Sequence, residues 1–278
     1  MFSIIIPTYN NLDYLKLCLN SIKKNSKFDH EIIIFINEGI DGTLEYVKNH
    51  NLKYIHSKNN VGLCKAMNDG VKISTKKYII YAHDDMYFCP DWDTEFHNEI
   101  LKIKEEDFFL SGTMIQPFES FIYLDCGDKI ENFDEVKLLK NFKSLKFNDF
   151  QGTTWAPSLI PVKTWNKVNG FGEEFSPGLG SDPDFNFKLW NIGVRLFKGL
   201  SNSRVYHFSS VSLRSKIKNN GAKTFLLKWG ISIKFFKRFY LRSEQKYDGL
   251  LKEPIRNFSY FLNLIKCKFS YFFHKLLN

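Results

Sequence analysis

Within the first 85 residues, three apolar runs each give way to a polar loop and an amphipathic helix, and a fourth run closes the series. That rhythm restricts the chain to an α/β fold whose strands lie parallel and whose helices pack on both faces of one sheet. Phe2 to Pro7 is the first run, continuous and β-branched as a buried strand requires. Leu12, Leu15, Leu19 and Ile22 then recur at helical spacing behind a cap at Asn10 or Asn11. Glu31 to Ile36 is the second run, Asn37-Glu38-Gly39 its turn, and Asp41-Gly42-Thr43 opens a helix to about Asn49. Tyr54 to His56 is a shorter third strand, and Asn60-Val61-Gly62 leads into a helix carrying Ala66, Met67 and Val71.

The fourth run, Tyr78 to Ala82, ends in His83-Asp84-Asp85. Open α/β sheets bind ligands beyond the carboxyl ends of their strands, where this acidic pair falls. Two adjacent carboxylates repel each other, so a cation is a natural third party; a solvated turn is the alternative. Beyond Asp85 the alternation loosens. The spacing predicts helices over Asp91 to Lys102 and Asn132 to Phe142, and strands over Phe108 to Ile115, Phe121 to Leu124 and Trp155 to Val162. A Gly- and Pro-rich loop from Ser176 then ends in Asp182-Pro183-Asp184 ahead of a helix from Phe185 to Ile192. Either carboxylate can serve as a helix cap or as a catalytic group. The strands Arg195 to Gly199 and Arg204 to Phe208 follow, the second carrying His207.

Charge divides the chain in two. Residues 214–278 hold 15 Lys+Arg against 3 Asp+Glu, whereas residues 1–213 hold 24 against 27, so the whole net charge of +9 comes from the tail. Such asymmetry points to an anionic partner. On a helix from Lys223 to Arg242, Phe225, Trp229, Ile233, Phe236 and Tyr240 share one face; Phe258, Phe261, Leu262, Ile265, Phe269, Phe272, Phe273 and Leu276 repeat the pattern, with Lys266, Lys268 and Lys275 outside it. One aromatic and one basic face suit an anionic membrane interface, or else packing on the preceding domain. The bulky apolar faces suit lipid better than nucleic acid. Five scattered cysteines show no C-x-x-C spacing, so neither a disulfide framework nor a zinc site is expected. No stretch approaches the about 18 apolar residues of a membrane span, and Phe2 to Pro7 lacks the flanks of a signal peptide. A cytoplasmic protein, peripheral on the inner face of the membrane, is the expectation.

Pro-Thr-Tyr-Asn closing the first strand, Asn-Val-Gly opening a helix, His-Asp-Asp-Met after the fourth strand, and Gly-Phe-Gly-Glu-Glu-Phe followed by Ser-Asp-Pro-Asp stand in one order. Together they resemble the family 2 glycosyltransferases, inverting nucleotide-sugar enzymes of the GT-A fold, over roughly residues 1–208. The resemblance implies a GT-A catalytic domain, a Rossmann-like and mostly parallel sheet flanked by helices, over 1–213, with a basic amphipathic helical extension over 214–278. It implies that Pro7, Thr8 and Tyr9 line the nucleotide pocket, with Asn37 at the base and Asp84 contacting ribose or supporting the metal. Asp85 stands where the family's D-x-D motif has its metal ligand, and His83 replaces the first Asp. Asp182 matches the general base, Asp184 orients the helix or the acceptor, and His207 completes the metal site. The second strand ends in Asn37-Glu38-Gly39-Ile40 where the family has Asp-Asp-Gly-Ser, so uridine is expected through the donor and acceptor of an Asn amide.

The implied activity is transfer of a sugar from a nucleoside diphosphate sugar, UDP foremost, to a hydroxyl of a glycan or lipid-linked acceptor in surface polysaccharide synthesis. Mn²⁺ or Mg²⁺ would offset charge on the departing diphosphate, and a carboxylate would take the acceptor proton. Arg214 and Lys216 could clamp the diphosphate, and Trp155 and Trp165 could stack on a sugar ring. Two other readings compete. A sugar-1-phosphate nucleotidyltransferase shares such a sheet but needs a glycine-rich loop that Pro7 to Leu12 lacks. A non-catalytic scaffold at the membrane surface would accommodate the His83 and Asn37 departures.

Overall fold

The computed structural model describes residues 1–118, 122–209 and 219–276. Four strands build one parallel half: β1 (Ser3–Tyr9), β2 (Glu31–Asn37), β3 (Lys53–Ser57) and β4 (Tyr78–Tyr81). Helices α1 (Leu12–Asn25), α2 (Thr43–Asn49) and α3 (Gly62–Lys72) make the crossovers. β1 lies between β2 and β4, and its Ile4, Ile5 and Ile6 are fully buried. A strand covered on both faces needs such an unbroken apolar run, each side chain contributing about 1.5–3 kcal/mol by burial. The first amide of α1 is bound not by Asn10 or Asn11 but by the Asp41 carboxylate, Leu12 N to Oδ2 at 2.8 Å. A side chain from the neighbouring βα loop satisfies the helix end, a partner that local spacing cannot reveal.

The second half alternates in direction. It contains β5 (Met86–Phe88), α4 (Trp92–Ile100), β6 (Phe109–Ile115), α5 (Glu135–Asn141), β7 (Phe150–Gln151), β8 (Ser158–Pro161), α6 (Val162–Lys167), α7 (Ser181–Asn191) and β9 (Phe197–His207). The sheet order among the described residues is β3-β2-β1-β4-β8-β6-β9-β5, with β7 also on β9. β8 runs antiparallel to both β4 and β6, β6 and β9 are parallel, and β5 is antiparallel to β9. The two strands expected over 195–208 are one bent strand, whose pairing with β6 shifts register between Ser111 and Thr113. The strand expected at Phe121 to Leu124 falls partly outside the described residues, leaving a bridge between Gln116 and Tyr123.

The helix expected over Lys223 to Arg242 is broken. It comprises α8 (Gly221–Trp229), a left-handed Gly230, a restart capped by Ser232, the short α9 (Ile233–Phe235) and a π-helical turn, Phe236–Leu241. Phe225, Phe235, Phe236 and Leu241 belong to the same buried cluster as the sheet, and Phe187 of α7 packs edge-on against Phe225, Trp229 and Phe236. The last helix, α10 (Phe258–Leu276), behaves differently. Tyr260 and Cys267 are buried, whereas Phe258, Ile265, Phe269, Phe272 and Phe273 are exposed. All five cysteines are free. No helix among the described residues is long and apolar enough to cross a membrane.

Candidate active site

The carboxyl ends of β1 and β4 open where the sheet changes from parallel to antiparallel, at the β4–β8 seam. There His83, Asp85 and His207 bring one ligand atom each to within 4.8 Å of one another. His207 Nε2 lies 3.3 Å from Asp85 Oδ1 and 3.2 Å from His83 Nδ1. The antiparallel register of β5 on β9 sets Met86 opposite His207, and Phe208 N donates to the Asp85 carbonyl at 3.2 Å. That pairing delivers the distant histidine to the acidic turn.

The remaining ring nitrogens are also held. Tyr81 Oη lies 2.7 Å from His83 Nε2; Ser209 Oγ is 3.1 Å and Gln116 Nε2 3.4 Å from His207 Nδ1. Metal-binding histidines are oriented in this way through the nitrogen that does not bind the ion. Burial, reinforced by His207, pushes the His83 imidazole down to about 4, so it is neutral at physiological pH and has a lone pair to offer. One carboxylate with two imidazoles is a donor set that fits a divalent first-row ion. His83, a departure from the acidic motif, therefore joins Asp85 and His207.

Asp84 turns the other way, toward β1, where Thr8 Oγ1 donates to Oδ2 at 2.7 Å. Burial and the adjacent Asp85 raise the Asp84 pKa. Pro7, Thr8 and Tyr9 stand at the end of β1, Thr8 buried and its neighbours half-buried. Asn37 is buried; its amide accepts from Val61 N at 2.9 Å and donates to the Thr8 carbonyl at 3.4 Å. It ties β1 to the head of α3 and retains one donor hydrogen and one lone pair. Gly62, at φ +80°, is required there, because a Cβ would come within 3.2 Å of Ser176 and Pro177.

Across that contact, the Ser176 loop leads into α7. Asp182 sits in its first turn; the carboxylate is only partly exposed, and the surrounding protein pushes its pKa up to about 7, with Lys237 opposing the rise. Tyr81 joins the two groups: burial first, then Asp182, with Asp85 and Asp84 further down, raises its phenol. Asp184 is fully buried and bound by Lys228 Nζ at 2.8 Å and Trp229 Nε1 at 2.7 Å, so it fastens α8 to α7. Lys228 also reaches Glu174 at 2.6 Å.

Of the expected sugar-stacking residues, Trp165 is core, packed against Phe171 and Phe185, which corrects that expectation. Trp155 is half-buried, with its indole donating to the Gly112 carbonyl at 3.1 Å. Arg214 and Lys216 lie outside the described residues. Tyr81, Gln116, Ser209 and Lys237 were not legible as site residues. Only Tyr81 carried a signal, as a tyrosine two residues ahead of His83 on the strand that ends at the acidic pair.

Comparison with known proteins gives the family and the fold. The family described as "Glycosyl transferase family 2" matches residues 3–151. The chain is 27% identical over 223 residues to a chondroitin synthase of Pasteurella multocida strain Pm70, and 27% identical over 222 residues to a hyaluronan synthase of Pasteurella multocida. Each match takes in 77% of this chain but only 22% and 21% of the relative, so the chain spans about a fifth of their length. Among solved structures, S. aureus TarS 1-349 in complex with UDP-GlcNAc is similar at a TM-score of 0.59 and 17% identity, over 88% of this chain and 68% of that one. GalNAc-T7 with UDP, GalNAc and Mn²⁺ gives 0.59 at 15% identity, over 85% of this chain and 49% of that one. The GT-A fold is thereby shared, and with more than half of its length matched, the chain belongs to glycosyl transferase family 2.

Proposed function

We propose that the protein transfers a sugar, with inversion, from a nucleoside diphosphate sugar to a hydroxyl of a glycan or lipid-linked acceptor in surface polysaccharide synthesis, and that UDP is the nucleotide. The observation that carries this is the three-ligand cation cluster of His83, Asp85 and His207 at the carboxyl end of β4, beside which Asp182, its carboxyl pushed up to about 7 by burial, stands in the first turn of α7. A general base works best when its pKa lies near the working pH, so Asp182 is suited to take the proton from an attacking hydroxyl. Among the described residues no hydrogen-bond donor occupies its oxygens, which leaves them for the acceptor.

His83, Asp85 and His207 would hold the cation, and when bound it supplies positive charge against the departing diphosphate. Two imidazoles suit Mn²⁺ better than Mg²⁺, which prefers oxygen ligands. Pro7, Thr8, Tyr9 and Asn37 form the nucleotide side of the cleft, and the Thr8 hydroxyl keeps Asp84 turned toward it. The relatives named as chondroitin and hyaluronan synthases, and a neighbour solved with UDP-GlcNAc, support this reading.

The catalytic unit extends in this reading to about Leu251, since α8 and the π-helical turn pack into its core. Attachment to an anionic membrane surface, on its cytoplasmic side, falls to α10. Its exposed Phe258, Phe269 and Leu276 lie along one line, with Lys266 on one flank and Lys268 and Lys275 on the other. A panel of nucleotide sugars with Mn²⁺ tests the central claim. Donor hydrolysis or transfer should disappear with EDTA, in Asp85→Asn and in Asp182→Asn; activity persisting in both variants would refute the site.

A further inference from the structure

A cavity of about 770 Å³ lies outside the site described above, bounded by α8, α9, the π-helical turn and α10. Lys223, Lys234, Lys237, Arg238, Arg242 and His274 line it, and Glu244 is the one acidic side chain among the described residues there. Arg242 is paired with Asp248 at 2.7 Å, but Lys234 and Lys237 form no ion pair among the described residues. Confining this many cations in one concavity focuses a positive potential that a multiply charged anion would offset.

Its position narrows the choice of anion. The rim begins at Asn220 and Ala222, on either side of Gly221. A Cβ on Gly221 would lie 1.8 Å from the Leu179 carbonyl and 2.9 Å from Gly180 N, so the cavity mouth abuts the loop that delivers Asp182. Asn219 Nδ2 fastens the same loop, donating to the Phe175 and Leu179 carbonyls at 2.8 and 2.9 Å. The Lys237 ammonium is felt by the Asp182 carboxylate. On the far wall, Ser270 and His274 come from the inner side of α10, whose outer side presents Phe269, Phe272 and Phe273 to solvent. Apolar face, basic cavity and general base thus follow one another across the molecule.

We propose that this cavity binds the phosphate or diphosphate of a lipid-linked acceptor, whose lipid lies along α10 and whose sugar hydroxyl reaches Asp182. The proposal rests on the transferase reading and specifies its acceptor. It also accounts for the basic surplus of the tail, which faces a pocket as well as the outside. Phosphate esters are held by lysine and arginine through charge-assisted hydrogen bonds, and the hydroxyls of Ser232 and Ser270 lie within the same wall.

The test is retention of the full chain on phosphatidylcholine vesicles containing geranylgeranyl phosphate, against vesicles of matched charge containing phosphatidylglycerol. Retention should be greater on the prenyl phosphate, should be competed by inorganic pyrophosphate, and should weaken about fivefold in each of Lys234→Gln, an exposed position, and Lys237→Gln. Equal retention on both vesicles would mean bulk charge attraction and overturn the proposal. So would indifference to both substitutions, or pyrophosphate binding without any vesicle preference, which would indicate a soluble phosphate ester. Donor hydrolysis by the unsubstituted protein is measured in parallel. Its absence overturns the transferase reading; its presence without phosphate preference overturns the cavity assignment alone.

Discussion

Asp84 with Asp85, after β4, and Asp182 with Asp184, at the head of α7, are two acidic pairs that look alike in the sequence. Each separates, in the proposed mechanism, into one carboxylate held by a protein donor and one assigned to the cation or to the acceptor proton. Asp84 is bound by Thr8 and Asp184 by Lys228 and Trp229, whereas Asp85 belongs to the His83–His207 cluster and Asp182 has no hydrogen-bond donor among the described residues. The separation follows from backbone geometry. Helical residues two apart do not face each other, so with Asp184 turned into the core Asp182 must turn out of it. Asp84 and Asp85 are successive residues of the turn between β4 and β5, where Thr8 draws the first toward β1 and the pairing of β5 with β9 holds the second beside His207. Giving one carboxylate a structural partner thus fixes where its neighbour points.

Four experiments would break or sharpen that contrast. Asp182→Asn should lower transfer by roughly 10²–10⁴-fold, the ordinary contribution of a positioned base. The folded state holds the Asp182 proton more tightly than an unfolded chain does, because its pKa is raised to about 7. Its contribution to stability is therefore present at acid pH and is lost as pH rises through about 7. Thermal melts at pH 8 should accordingly show Asp182→Asn more stable than the parent, and the parent's rate should climb with pH through about 7. A lower melting temperature for the variant at pH 8 would place Asp182 among the structural carboxylates.

Asp184→Asn should behave in the opposite sense, losing about 2 kcal/mol in urea denaturation while folded molecules keep their kcat, since it weakens the buried acceptor of Lys228 and Trp229 although Lys228 keeps Glu174. Tyr81→Phe removes the phenol at His83 Nε2, and calorimetry should report Mn²⁺ affinity reduced by about 10–100-fold. Unchanged affinity would leave His83 outside the coordination sphere. Smallest is Thr8→Val: with the 2.7 Å bond to Asp84 gone, KM for the donor should rise about fivefold at constant kcat, as expected for about 1 kcal/mol of uniform binding.

The parallel half of the fold was legible because each of its strands carries its own pattern: Ile4, Ile5 and Ile6 have to be covered on both faces wherever they lie. The strand-end position singled out the acidic pair, but choosing Asp85 within it, and assigning Asp182 and His207, drew on the resemblance to a family, as residue types at matching places in a motif order. What His83 does was not, since its part depends on a partner 124 residues away and on the register of a three-residue strand, β5, that spacing did not suggest. The tail shows the same limit. Residues 223–242 and 258–276 share one periodicity, yet the first set of aromatic side chains is buried against Phe187 and the second is exposed. Periodicity defines a face; Gly230, and the indole of Trp229 bonded to Asp184, decide what covers it.

The pairing of Met86 with His207 has a consequence for how the site comes into being. During synthesis, the parallel half and the acidic turn leave the ribosome well before β9 does. Until that strand inserts beside β6 and β5, Asp85 has only its near neighbour His83, and the cluster lacks His207. The three-residue cluster is therefore completed in one late event, set by a long-range contact of the sheet.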